Sequence, residues 1–364
     1  MTRRERFERA MRHEEVDRLP FWVKVFGQSY RMLQPRKWRE MDELDLVDYL
    51  DLDHYAGCPA PALGENERVR HSVDRGETRS VERWETPDGT LTLVRGWDAG
   101  SASWHPIEFP IRTVEDIPAA LHVFEGNRWR HDAGLAARAR ERIRQVGDRG
   151  LVHCGMGISP LMQLIQHWLG PRETYFFLQD HPAEMEELIG AMHEERLRFL
   201  DAVLVDCPAE WITSVENTST TLLSPAIFER YCFAHLMDYG TRIREAGRHH
   251  MLHQCGALYD LLPMIDALPA ECIEAYTAPT LGDTTIADRN ERAPSMAVIG
   301  GTQAPTWLLP VDEICAIIER DLRAAGSIRG VVLTSAGVMP PGCSIERIRQ
   351  VRERMYDVTP DAVA

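Results

Sequence analysis

Apolar residues recur along the chain in two alternating rhythms. From Gly150 onward, short apolar runs of strand character at residues 151–154, 211–215, 249–253, 272–276, 296–299 and 331–334 alternate with longer stretches at helical spacing. The clearest helix covers residues 184–203, where Met185, Leu188, Ile189, Met192, Phe199, Leu200 and Val203 share one face. Asp180 before Pro182, and Ser224 before Pro225, read as helix starts. Each offers a capping oxygen followed by a proline, whose missing N–H an early helical position does not need. Asp312 begins a further helix to about Ala325. This repeat predicts a parallel sheet wrapped by helices, an α/β fold of the distorted TIM-type (β/α)8 barrel kind. A doubly wound open sheet ranks second, because no glycine fingerprint for a dinucleotide or a P-loop is present.

Upstream the pattern is less regular. The chain reads as helical through Arg12, turns at Asp17-Arg18-Leu19-Pro20, and enters an apolar run at residues 21–26 that suits a strand. Residues 35–130 mix turns with hairpin strands at 81–84 and 90–94 around Pro87-Asp88-Gly89, an elaborated N-terminal region on a single barrel domain spanning 1–364. The first residues carry charge and no apolar signal segment, and no run of about 18 apolar residues occurs. The expectation is a cytoplasmic protein that is neither exported nor membrane-spanning. A formal net charge of −15 disfavours nucleic acid and anionic membrane surfaces and favours a small molecule or a protein as partner. The eight cysteines then read as reduced thiols, mostly small buried hydrophobes.

In a β/α barrel, chemistry gathers where strands run into loops at the C-terminal rim. The segment His253-Gln254-Cys255-Gly256 ends a strand, and residues two apart on a strand point the same way. His253 and Cys255 therefore offer an imidazole and a thiol to one point, a donor set that zinc favours; a strand-end histidine beside a buried cysteine is the plainer reading. Cys343, in the loop after residues 331–334, lies on the same rim and is the best third donor. Cys272 begins a strand and Cys315 sits inside a helix, so both read as packing, with His153 and Cys154 in reserve. Glu216 closes a strand and opens the polar loop Asn217-Thr218-Ser219-Thr220-Thr221. There it can ligate zinc, bind substrate or move a proton, or simply sit in a turn that satisfies its own backbone. Glu274, Tyr276 and Gln303 are weaker candidates of the same type. Trp22, Phe26 and Tyr30 either line a pocket or pack in the core.

Taken in order, Pro20-Phe21-Trp22, Ser224-Pro225, His253-Gln254-Cys255-Gly256, Gly300-Gly301 and Pro340-Pro341 resemble the uroporphyrinogen decarboxylase superfamily, over about residues 7–351 and best after Leu151. In the decarboxylase branch two arginines follow the first strand to bind substrate carboxylates. Val25 and Ser29 stand in their places here, only Tyr30 matches, and Lys24 and Arg31 are imperfect substitutes, because bidentate carboxylate recognition is an arginine property. The resemblance is thus closer to the zinc-dependent, cobalamin-linked methyltransferase branch. It implies a zinc on His253, Cys255 and a late cysteine. That cysteine's usual place is Gly337, six positions before Cys343 (343 − 337 = 6), so Cys343, Glu216 or no residue at all completes the set. It also implies a corrinoid (methylcobalamin) on a separate partner protein, and a homodimer. The chain lacks an Asp-x-His-x-x-Gly corrinoid signature, and Asp53-His54-Tyr55-Ala56-Gly57 misplaces the aspartate by one residue.

The expected function is movement of a methyl group between a corrinoid carrier protein and a small-molecule donor or acceptor. In that reading Glu216 is catalytic, and Trp22, Tyr30, Asn217, Tyr276 and Gln303 bind substrate. The alternatives are a metal-independent decarboxylase or lyase with Glu216 as acid or base, and a noncatalytic protein that sequesters a corrinoid or another ligand.

Overall fold

Seven parallel strands form one curled sheet whose spatial order follows the chain: His54–Cys58, Gly150–Gly157, Trp211–Val215, His249–His253, Cys272–Tyr276, Ala297–Gly301 and Val331–Thr334. The computed structural model describes residues 1–358, so the last six positions of the expected 1–364 domain lie outside the described residues. Helices Pro182–Leu204, Ala234–Glu245 and Val311–Ala324 are among those that join the strands. The fold is the α/β barrel that the alternation predicts.

The eighth stave differs from expectation. Residues 21–26 do not form a full strand: Phe21 alone makes a parallel bridge, to Leu333. Trp22 N–H donates to Leu333 O (3.0 Å) and Leu333 N–H to Pro20 O (2.9 Å), while Asp53 N–H donates to Phe21 O (2.9 Å). The segment thus bridges the last strand to the first and completes the ring. Pro20 has no N–H to extend the ladder. Val25 N–H turns back to Val23 O (3.0 Å), and the chain leaves for a short helix, Gln28–Arg31.

Strand alternation divides the apolar residues between two layers. Tyr55, Leu151, Trp211, Met251, Cys272, Ala297, Ile299 and Val332 meet inside the barrel with Trp22, and the N-terminal helix Arg3–Met11 plugs its floor with Phe7, Ala10 and Met11. A larger layer between sheet and helices holds Ile212, Leu252, Ile273, Val298, Leu333 and most helix faces. Ser224 caps its helix by accepting from Ile227 N–H, as expected. Asp180 instead ends the preceding helix Pro171–Asp180, and His181 stands before Pro182 without a side-chain cap.

The irregular N-terminal stretch contains a four-stranded antiparallel sheet of Arg70–Arg75, Arg79–Thr86, Gly89–Asp98 and Ser103–Glu108, plus the pair Ala62–Glu65 with Arg128–His131. The hairpin foreseen at 81–84 and 90–94 is its longer central pair. The first barrel strand, His54–Cys58, was not foreseen, because His-Tyr-Ala-Gly-Cys carries no apolar run.

Candidate active site

At the mouth of the barrel, charged and polar side chains replace the apolar floor. Lys24, two residues beyond Trp22, places Nζ 2.7 Å from Glu274 Oε1, and the other Glu274 oxygen bonds His253 Nδ1. Burial alone would raise the Glu274 carboxyl, but Lys24 and then His253 outweigh it and hold it down at about 2. His253 shows the converse. Burial favours its neutral form, yet the Glu274 charge and hydrogen bonds to Cys255 and Glu274 lift it to about 9. Next to this triad, the Cys255 thiol donates to Asn217 Oδ1 at 3.4 Å.

Below the triad lies a second polar group. Tyr55 Oη and His153 Nδ1 both contact Thr213 Oγ1 at 2.9 Å, and the Tyr55 and His153 rings stack at 4.2 Å. Trp22 meets Tyr55 edge-on at 5.1 Å. Burial pushes His153 down to about 4, so this imidazole is neutral at pH 7.

The structure brings together His253, Cys255 and Asn217 at the mouth and places Trp22 in the lumen below. It does not bring Cys343 to them. That side chain is fully buried in the layer between sheet and helices, where burial pushes its thiol up to about 12. Tyr30 lies beside it, donating to Cys343 O at 2.7 Å, and Tyr276 donates to Thr285 O at 2.9 Å; both are fully buried. Gln303 uses its carbonyl oxygen to tie two rim loops, accepting from Thr280 N–H (2.8 Å) and Leu281 N–H (3.1 Å).

Glu216 falls on the opposite parity from Thr213 and Val215, so it points out of the barrel towards the helices. Ser159, Arg196, Cys232 and Tyr239 surround it there. It is fully buried, and burial pushes it up to about 7 against Ser159, Arg196 and His253, which lower it.

For zinc, His253 and Cys255 supply two suitable donors, and Glu274 on Nδ1 would leave the other ring nitrogen to hold a metal. The three-ligand set expected from the sequence is not met. Among the described residues no group of three His, Cys, Asp or Glu side chains is placed to hold a metal ion.

Of the residues that build this mouth, the sequence pointed to neither Tyr55 nor Thr213, gave Glu274 and His153 only minor places, and offered Lys24 only as an imperfect substitute for a carboxylate-binding arginine. The signal for Lys24, Thr213 and His153 was their period-two spacing from Trp22, Trp211 and Leu151. Tyr55 had none, since its strand was not recognised.

Residues 108–358 match the sequence profile of uroporphyrinogen decarboxylase (URO-D). The chain belongs to the URO-D family. The match takes in six of the seven barrel strands, all but His54–Cys58, and leaves out most of the N-terminal elaboration. No curated protein sequence matches the chain closely enough to count as a relative. Among solved structures, this URO-D family chain is similar to a methyltransferase from Methanosarcina mazei, at 16% identity and a TM-score of 0.59 over 98% of this chain and 99% of that one. It also matches a protein described as a vitamin-B12-independent methionine synthase from Listeria monocytogenes, at 14% identity and a TM-score of 0.38 over 59% of this chain and 66% of that one. At these identities the first likeness speaks for the fold, and the second bears on nothing further. Among the described residues, no helix is long and apolar enough to cross a membrane.

Proposed function

We propose that this URO-D family chain is a methyltransferase that moves a methyl group between a small molecule held at the barrel mouth and a corrinoid carried by a separate protein. The observation that carries this reading is the Lys24–Glu274–His253 triad beside the Cys255 thiol. An atom that loses a methyl group must be stabilised as a leaving group. His253, kept protonated to about pH 9 by Glu274, can deliver a proton to that atom. Lys24 balances the Glu274 charge, so the imidazolium is not neutralised by proton transfer to its partner. Cys255 and Asn217 border the space where the reacting group would sit, and Trp22, Tyr55 and His153 floor it. The 16%-identical structural neighbour named as a methyltransferase is consistent with this assignment. Glu216, directed away from the lumen, acts in this reading on the packing of the strand end.

Zinc on His253 and Cys255 is the alternative to the proton-donor role, since a metal ligand must be the neutral imidazole and the two states cannot hold at once. Elemental analysis of protein purified without chelator tests it. About one zinc per chain, lost in His253→Ala and in Cys255→Ser but kept in Cys343→Ser, supports a site on the pair. Metal-free active protein leaves His253 as a proton donor and removes zinc from the reading.

The activity is tested with free methylcobalamin and thiol acceptors, and in reverse with cob(I)alamin and methylated substrates, following the corrinoid spectrum. Transfer should fall at least about 100-fold in His253→Ala and in Glu274→Gln. Unchanged transfer in both variants would reject the triad. Carbon dioxide release without a corrinoid would replace methyl transfer by decarboxylation.

A further inference from the structure

Three lumen side chains, one from each of the first three barrel strands, share two hydrogen bonds: Thr213 Oγ1 lies 2.9 Å from both Tyr55 Oη and His153 Nδ1. Each hydroxyl carries one hydrogen, and so does a neutral imidazole. Tyr55 and Thr213 are buried, and neither hydroxyl has another partner among the described residues. With the imidazole hydrogen on Nδ1, that nitrogen would donate to Thr213. Either the Tyr55 or the Thr213 hydrogen would then be left buried without an acceptor, which is costly. One arrangement leaves none unmet. Tyr55 donates to Thr213, Thr213 donates to His153 Nδ1, and the imidazole hydrogen sits on Nε2.

That Nε2 faces open space. It has no hydrogen-bond partner among the described residues and is not one of the fully buried nitrogen atoms. His153 is half-buried, and Gly57, its register partner on the first strand, is exposed. A Cβ at Gly57 would lie 3.7 Å from Nε2, so glycine leaves the approach clear. The ring is also held in orientation. It stacks on Tyr55 at 4.2 Å and 8°, and Tyr55 is fixed in turn by Trp22 at 5.1 Å and Phe7 at 5.9 Å. Burial keeps His153 unprotonated at pH 7, so Nδ1 remains free to accept from Thr213.

We propose that His153 is a substrate-binding residue whose Nε2–H donates to an oxygen atom of the small molecule at the barrel mouth, so that the site selects an oxygen-bearing methyl compound over a methylated ammonium cation. The inference rests on the methyltransferase reading for the methyl group of that molecule. An ether, hydroxyl or carbonyl oxygen offers the lone pair that Nε2–H needs. A quaternary ammonium nitrogen has none, and its binding would bury the donor unmet. Thr213 is a positioning residue: it acts through His153 by holding the tautomer that puts the hydrogen on the open side of the ring.

The full chain, with its histidines isotope-labelled, is read by long-range nitrogen–proton correlation NMR at pH 7, and His153 is assigned by its loss in His153→Phe. The expected spectrum shows Nδ1 as a bare acceptor and Nε2 as the protonated nitrogen. Thr213→Val should abolish this preference and Thr213→Ser restore it. Titration with methoxyethanol should move the Nε2 signal. His153→Phe keeps a ring on Tyr55 and should weaken methoxyethanol binding roughly 10-fold by calorimetry, while leaving any binding of tetramethylammonium unchanged. An Nδ1–H tautomer, or an Nε2 signal that methoxyethanol leaves unmoved, would overturn the donor role. Tighter binding of tetramethylammonium than of methoxyethanol would overturn the substrate class. These readouts need no corrinoid, so absence of methyl transfer beside the expected spectrum and titration would reject the methyltransferase reading alone.

Discussion

Glu216 follows the strand Trp211–Val215 and Glu274 lies within Cys272–Tyr276 of the same sheet; both are buried, yet one keeps its proton up to about pH 7 and the other stays ionised. Glu274 faces the lumen, where Lys24 and His253 keep it ionised at about 2. Glu216 faces the helices, where burial outweighs Ser159 and Arg196 and it takes up a proton at about 7. A one-residue difference in strand parity decides between them. The consequence for stability has a definite sign. Above its unfolded value of about 4.5 the unfolded chain has released the Glu216 proton while the folded chain still holds it, so stability falls as pH rises to about 7 and then levels off. The full interval is worth about 3 kcal/mol. Glu216→Gln removes this dependence. Its thermal midpoint should gain on the wild type between pH 5 and pH 8, and an equal difference at both pH values would show that Glu216 is ionised in the folded state.

At the scale of elements, the strand ends are shaped by what they must approach. On Ala297–Gly301, Gly300 lies so close to the preceding strand that a Cβ would sit 2.1 Å from Tyr276 O. Gly301 follows at φ +91°, in the region that glycine adopts freely. Gly300→Ala should therefore cost at least about 2 kcal/mol, seen as a lower urea midpoint at unchanged slope. The Gly300-Gly301 pair was visible in the sequence as a strand end, and so was the His-x-Cys pair, whose His253 ends the strand His249–His253 and whose Cys255 lies just beyond it. Both signals are local: a period of two and a glycine where the chain turns. The eighth stave was misread because hydrophobicity at residues 21–26 marks burial, and burial here is shared between a single bridge and a turn.

The molecule as a whole depends on how its ring closes. The closing segment is held on one side by Leu333 and on the other by Asp53, whose carboxylate accepts Phe21 N–H at 2.9 Å. That carboxylate is fully buried, with Arg6 at 2.6 Å and Arg18 at 3.3 Å. Arg6 belongs to the helix that plugs the barrel floor, so one aspartate joins plug, closing segment and first strand. Asp53→Ala leaves two buried guanidinium groups short of a partner and frees the Phe21 amide. A loss of about 3–5 kcal/mol in denaturant unfolding is expected. A loss within about 0.5 kcal/mol would mean that the ring closes without this clamp.

The sequence by itself determined the alternating α/β plan, six of the seven sheet strands from Gly150 onward, and the His253–Cys255 pair, because each rests on spacing along one element. What only the tertiary structure decided was which side chains from different elements meet. Lys24 reached Glu274 inside the ring, and Cys343 went to the packing layer and not to the pair. No spacing within a single strand carries that information: it depends on how neighbouring staves are staggered and on which side of the sheet each side chain finally faces.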